Sequence, residues 1–120
     1  MVASERVEKA VANRISMLRL SNPELSTEWA IINDDWGLIA VSMGSELKGY
    51  EFIESDTSWY RPNRPRVYAD TLKHGLTALI IVPEEVYLDV RMKIYADKGR
   101  DKPKVLSYDS MGITLMPRPS

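Results

Sequence analysis

A chain of 120 residues, 44% hydrophobic and 28% charged, suits one globular unit with a single core and excludes a disordered polymer. The net charge of −1 provides no overall attraction to polyanions, and the lack of cysteine excludes disulfides and thiolate zinc sites, which fits a cytoplasmic location. No apolar run approaches the roughly 20 residues of a membrane span, and the opening MVASERVEKAV lacks the basic start and apolar block of a signal peptide, so no membrane association is expected.

The first predicted element is a helix from Ser4 to Leu20. Val7, Val11, Ile15 and Leu18 form its apolar stripe, Ser4 can cap it, and Glu5 and Glu8 suit the positive end of its dipole. Ser21-Asn22-Pro23 ends it. Three strands are then expected, at 29–32, 37–42 and 50–54. Asn33-Asp34-Asp35 turns between the first two, and an open loop over 43–49 links the second to the third.

After the break at Pro62-Asn63-Arg64-Pro65, a second helix is predicted from Arg66 to His74, with Gly75 just past its end. Leu76 to Val82 is the most apolar run and reads as a central strand buried on both sides. A third helix follows from Glu84 to Ala96, carrying Val86, Val90 and Ile94 at spacings of four. The basic stretch with Lys98, Arg100, Lys102 and Lys104 reads as an exposed loop. Strands over 104–107 and 112–116 complete one domain, residues 1–116, with a frayed tail at 117–120. The expected fold class is α/β: a mixed sheet with an αβββαβ core flanked by helices.

This order, with the text IAVSMGSELKGYEFIESDTSW, resembles the PD-(D/E)XK nuclease-like superfamily, and within it the small stand-alone members similar to the MmcB-type DNA repair proteins. Gly49, Tyr50, Glu51, Ser55 and Trp59 carry the resemblance, with Tyr68 and the strand ending Val82-Pro83 behind them. The match spans roughly residues 4–83. It implies a restriction-endonuclease-like fold that handles DNA: if active, with magnesium or manganese held by carboxylates and a metal-bound water attacking a phosphodiester, and if degenerate, with the same face binding nucleic acid without cutting. Carried over, Glu51 is the motif glutamate, Asp35 the nearest strand-two acid, and Glu5 or, preferred, Glu8 the helix glutamate; Asp35 and Glu51 would hold the metal. The sequence departs from the motif at two places. Ile53 stands where the motif lysine belongs, and the strand-two acid falls on Gly37. A second frame, Glu46-Leu47-Lys48, restores the literal E-x-K text but sits in the predicted loop.

Arg61, Arg64 and Arg66, beside the stacking faces of Trp59 and Tyr60, suit phosphate and base contacts. They equally suit a solvated proline-rich loop. Glu51 can also be an edge glutamate facing water, Asp34 and Asp35 plain turn formers, and Glu8 an exposed helix residue. His74 fits a helix C-terminus better than catalysis. The rival reading is a non-enzymatic interaction module, a small subunit or inhibitor, docking a partner protein through an exposed edge strand and the 84–96 helix. A homodimer is compatible with either.

Overall fold

The computed structural model describes residues 3–96 and 102–110, with side chains from Glu5 onward. The expected 112–116 strand, the tail, Lys98, Arg100 and the Ser4 cap lie outside what is described. Helix α1 spans Ala3–Ser21, and strands β1 (Leu25–Ile32), β2 (Trp36–Met43) and β3 (Glu46–Ile53) follow. A 3-10 turn at Ser58–Tyr60 leads into α2 (Arg64–Lys73), then β4 (Thr77–Val82). A second 3-10 turn at Glu84–Val86 opens α3 (Tyr87–Ala96), and β5 (Lys104–Ser107) comes last. The sheet is five-stranded and mixed, in the order β1-β2-β3-β4-β5. The first three strands form an antiparallel meander, and β4 and β5 add in parallel. The fold is therefore mixed α/β.

The first hairpin turns at Asn33 and Asp34, both at φ 54, a left-handed conformation that short polar side chains tolerate. Asp35 N–H donates to the Ile32 carbonyl at 3.0 Å and closes the turn. The second hairpin is tighter than its sequence suggests. Gly44, at φ 62, and Ser45 make a short turn in place of the open loop, so Glu46-Leu47-Lys48 begins β3. Helix α2 starts two residues before the expected Arg66, because a proline in the first helical turn loses no hydrogen bond. His74 caps its end, with Nδ1–H donating to the Asp70 carbonyl at 2.7 Å.

Two cores sandwich the sheet. On one face α1 presses Val7, Val11 and Leu18 onto Ile39, Val41, Ile53 and Ile81. Each such side chain, fully buried, is worth about 1.5–3 kcal/mol. On the other face α2 and α3 cover Phe52, Ala78, Ile80, Val82 and Val105 with Tyr68 and Val90. The alternation along β3 assigns Glu51 and Ile53 to the α1 face, and Phe52 and Glu54 to the α2 face. No helix among the described residues is long and apolar enough to cross a membrane.

Candidate functional site

Glu51 sits in the middle of β3, between Ile39 of β2 and Leu79 of β4, and is 7% exposed. Its carboxylate is fully engaged. Arg14 of α1 donates from Nε to Oε1 and from Nη2 to Oε2, the latter at 2.9 Å, in a bidentate pair buried between helix and sheet. Arg14 falls on the apolar stripe itself, since 7, 11, 14 and 18 repeat at four, three and four. That position was the signal for a buried partner, and sequence reasoning passed over it. A guanidinium inside an apolar stripe needs a carboxylate on the facing sheet, and Glu51 is that carboxylate.

The other expected acids are not brought to Glu51. Asp35 precedes β2, four residues from Ile39, the residue opposite Glu51. At the rise of an extended chain this is about 13 Å away. Asp35 instead organises the loop after β3. Its Oδ1 accepts from Ser55 Oγ at 2.9 Å, and Oδ2 makes an ionic contact with Arg61 that lacks hydrogen-bond alignment. Glu8 points to solvent from α1, six residues before Arg14, about 9 Å along the helix axis. Among the described residues no three carboxylate or histidine side chains gather closely enough to hold a metal.

The motif positions that lack their usual side chains are filled by packing. Ile53 is completely buried in the α1 core. At Gly37 an added Cβ would lie 2.7 Å from Val11 Cγ2 and 3.3 Å from Val7 Cγ1, so α1 occupies the space a strand-two aspartate would need. The residues around Glu51 thus do not fit magnesium or manganese: the carboxylate is neutralised by Arg14, and at Gly37 a strand-two carboxylate would have to displace Val11 of α1. The second frame does not assemble either. Glu46 pairs with Met43, at the far end of β2 from Asp35, and Lys48 Nζ bonds Glu46 at the surface at 3.1 Å.

The opposite face holds a second buried ionic cluster. Glu54, fully buried, accepts at Oε2 from Arg64 and from Tyr68 O–H at 2.6 Å, and at Oε1 from Ser58 Oγ at 2.6 Å. Its carbonyl accepts from Tyr108 O–H at 2.6 Å. The Arg64 guanidinium stacks over Trp36 at 4.0 Å, with Phe52 and Tyr68 flanking it. Burial disfavours the Arg64 cation, but Glu54 and Tyr68 more than offset this and raise its pKa. Burial, reinforced by Glu54, pushes the Tyr68 phenol well above its ordinary range. The sequence signal was Arg64 and Tyr68 at i, i+4 on one helix face, opposite a glutamate in phase with Phe52.

The expected phosphate-binding arginines are consequently divided. Arg64 is buried on Glu54, Arg61 is against Asp35, and Arg66 is exposed. Trp59 and Tyr60 pack with ring centroids 5.1 Å apart, and Tyr60 is 71% exposed. Lys93 of α3 lies over both rings, at 5.8 and 5.4 Å, and Asp56 and Asp89 line the same cleft. Its charges are two acids against one lysine, which is not a polyanion-attracting groove. Beside it on α3, Leu88, Met92 and Tyr95 form an exposed apolar column at spacings of four and three.

In comparison with known proteins, the chain matches no family model, no curated protein and no solved structure.

Proposed function

We propose that this chain is a non-cleaving binding module on a restriction-endonuclease-like scaffold. The order α-β-β-β-α-β, the meander followed by a parallel crossover, and Glu51 at the centre of β3 under α1 support the scaffold reading. The observation that carries the non-cleaving part is the Arg14–Glu51 clamp, with α1 packed where the second metal-binding acid would stand. A guanidinium there satisfies the carboxylate and leaves no site for a divalent ion.

The ligand is a protein. The accessible surface around α3 and the Trp59–Tyr60 turn is aromatic and aliphatic with mixed charge, a composition typical of protein interfaces. A second reading, DNA or other nucleic acid, is favoured by one observation: the exposed Tyr60 ring beside Trp59 and Lys93, a stacking platform.

Two measurements decide. Plasmid incubated with the protein and magnesium or manganese is expected to stay intact; nicking that disappears in Glu51→Gln would overturn the non-cleaving reading. Fluorescence anisotropy with labelled single- and double-stranded DNA is expected to show no affinity even at low salt. Binding that falls steeply as salt rises, and weakens about tenfold in Tyr60→Ala, would replace the protein reading with the nucleic-acid one.

A further inference from the structure

Strand β1 has no partner on its outer side among the described residues, although it is eight residues long and lacks proline and lysine. Edge strands of that length normally carry a device that blocks further pairing. Its orientation follows from the turn. Ile32 directs its carbonyl to Asp35, toward β2. The antiparallel register of β1 with β2 is unbroken, so Ala30, Glu28 and Ser26 also bond inward. Thr27, Trp29 and Ile31 therefore present their N–H and C=O groups outward, as a row of unfilled donors and acceptors, whereas Leu25 N–H donates to the Asn22 carbonyl at 3.1 Å. Trp29, in that row, is 55% exposed.

We infer that β1 pairs antiparallel with β1 of a second copy of this chain, about a two-fold axis through Trp29. A two-fold perpendicular to the sheet pairs residues of the same face, so its registers centre on a single residue. Centring on Glu28 opposes two glutamates and is disfavoured. Centring on Thr27 opposes Glu28 to Ser26 and leaves only 25–29 paired within the strand, and centring on Ala30 opposes Glu28 to Ile32 and leaves only 28–32. Centring on Trp29 pairs 26–32 in full. It opposes Trp29 to its symmetry mate, Thr27 to Ile31, and Glu28 to Ala30, so the one charge of the strand never meets itself. The strand is self-complementary in this register, which identifies the occupant as its own copy. The two sheets become one continuous sheet, and both Trp29 rings leave water. This inference is independent of the ligand assigned to α3.

The register supplies its own test, because Ala30 is exposed and its replacement leaves the monomer core untouched. Sedimentation-velocity runs over a concentration series are expected to show a monomer–dimer equilibrium. Ala30→Lys places a cation opposite Glu28 twice per dimer and tightens it, on the order of fivefold in Kd; Ala30→Glu loosens it by a similar factor. Ser26→Lys, opposite Ile32 in this register, leaves Kd without a charge-dependent gain. A protein that stays monomeric at all concentrations, or a dimer indifferent to the charge at position 30, overturns the proposal. Tightening by Ser26→Lys instead moves the axis to Thr27 and overturns the assigned register.

Discussion

Arg14 on α1 and Glu51 on β3 form a bidentate pair in which the guanidinium takes both carboxylate oxygens, while Arg14 Nη1 has no hydrogen-bond partner. Removing one partner leaves an uncompensated buried charge, whereas removing both leaves only a packing problem. Arg14→Met is expected to cost about 3–5 kcal/mol in urea unfolding, and Glu51→Leu a comparable amount. The double substitution should recover most of the loss. If the double variant is as unstable as the sum of the singles, the two side chains do not act as a pair.

Much of the architecture was legible because it depends on periodicity. The α1 stripe, the apolar β4 run and the Val86-Val90-Ile94 spacing each lead directly to buried faces. The short β3 hairpin turn was not, because Glu46 and Lys48 look like loop residues until β2 offers them a ladder partner. Site residues were harder. Glu51 was recognisable as an inward-facing carboxylate, but its partner lies thirty-seven positions away in a helix where arginine usually marks the solvent side. Asp35 illustrates the reverse. It reads as a ligand or a turn former, and its actual role, anchoring Ser55, depends on β2 and β3 lying side by side.

Restoring the nuclease motif in text should fail in substance. Ile53→Lys puts an ammonium into the fully buried α1 core, and Gly37→Asp drives a carboxylate into Val11. Each is expected to destabilise the fold by several kcal/mol, on the order of the cost of an unpaired buried charge. Thermal unfolding with and without magnesium checks this. A magnesium-dependent rise in the melting temperature of the double variant would show that the site can be rebuilt after all.

The Glu54 cluster should behave as a unit. Tyr68→Phe and Ser58→Ala each delete one hydrogen bond to a buried carboxylate and are expected to cost about 1–3 kcal/mol. Arg64→Met strands the charge and should cost about 3–5 kcal/mol. Combining Tyr68→Phe with Arg64→Met is expected to give a non-additive total, since both share Glu54 Oε2. Additive losses in denaturant titrations would mean that the contacts are independent.

At the same end of the sheet Arg6 donates to Glu85 at 2.5 and 2.7 Å, and these bonds hold the Glu85 carboxyl down at about 2 from its ordinary 4.5. A depressed folded-state pKa stabilises above the unfolded value, and that contribution is lost as pH falls from about 4.5 toward 2. Both side chains are largely exposed, so solvent screening limits the pair to about 0.2–1 kcal/mol. Glu85→Gln should therefore flatten the stability–pH curve slightly in that window and leave it unchanged at neutral pH apart from a small constant loss. A steeper acid transition in the variant would contradict the assignment.

At high pH, the controlling groups are Tyr68 and Tyr108. Burial raises both phenols well above 10.0, with Glu54 adding to the effect at each, and only the cations Arg64 and Arg6 oppose it. Because the neutral phenol is favoured in the fold, the associated stability is intact below pH 10 and declines as pH rises past the unfolded value. Ultraviolet titration of the native protein should show Tyr68 and Tyr108 ionising together with the loss of tertiary structure, which is followed by near-ultraviolet circular dichroism. Tyr68→Phe and Tyr108→Phe should each remove one phenol from that late step. Ionisation of Tyr68 and Tyr108 at the ordinary 10.0, with tertiary structure retained, would mean that neither phenol is held in the buried hydrogen bonds to Glu54.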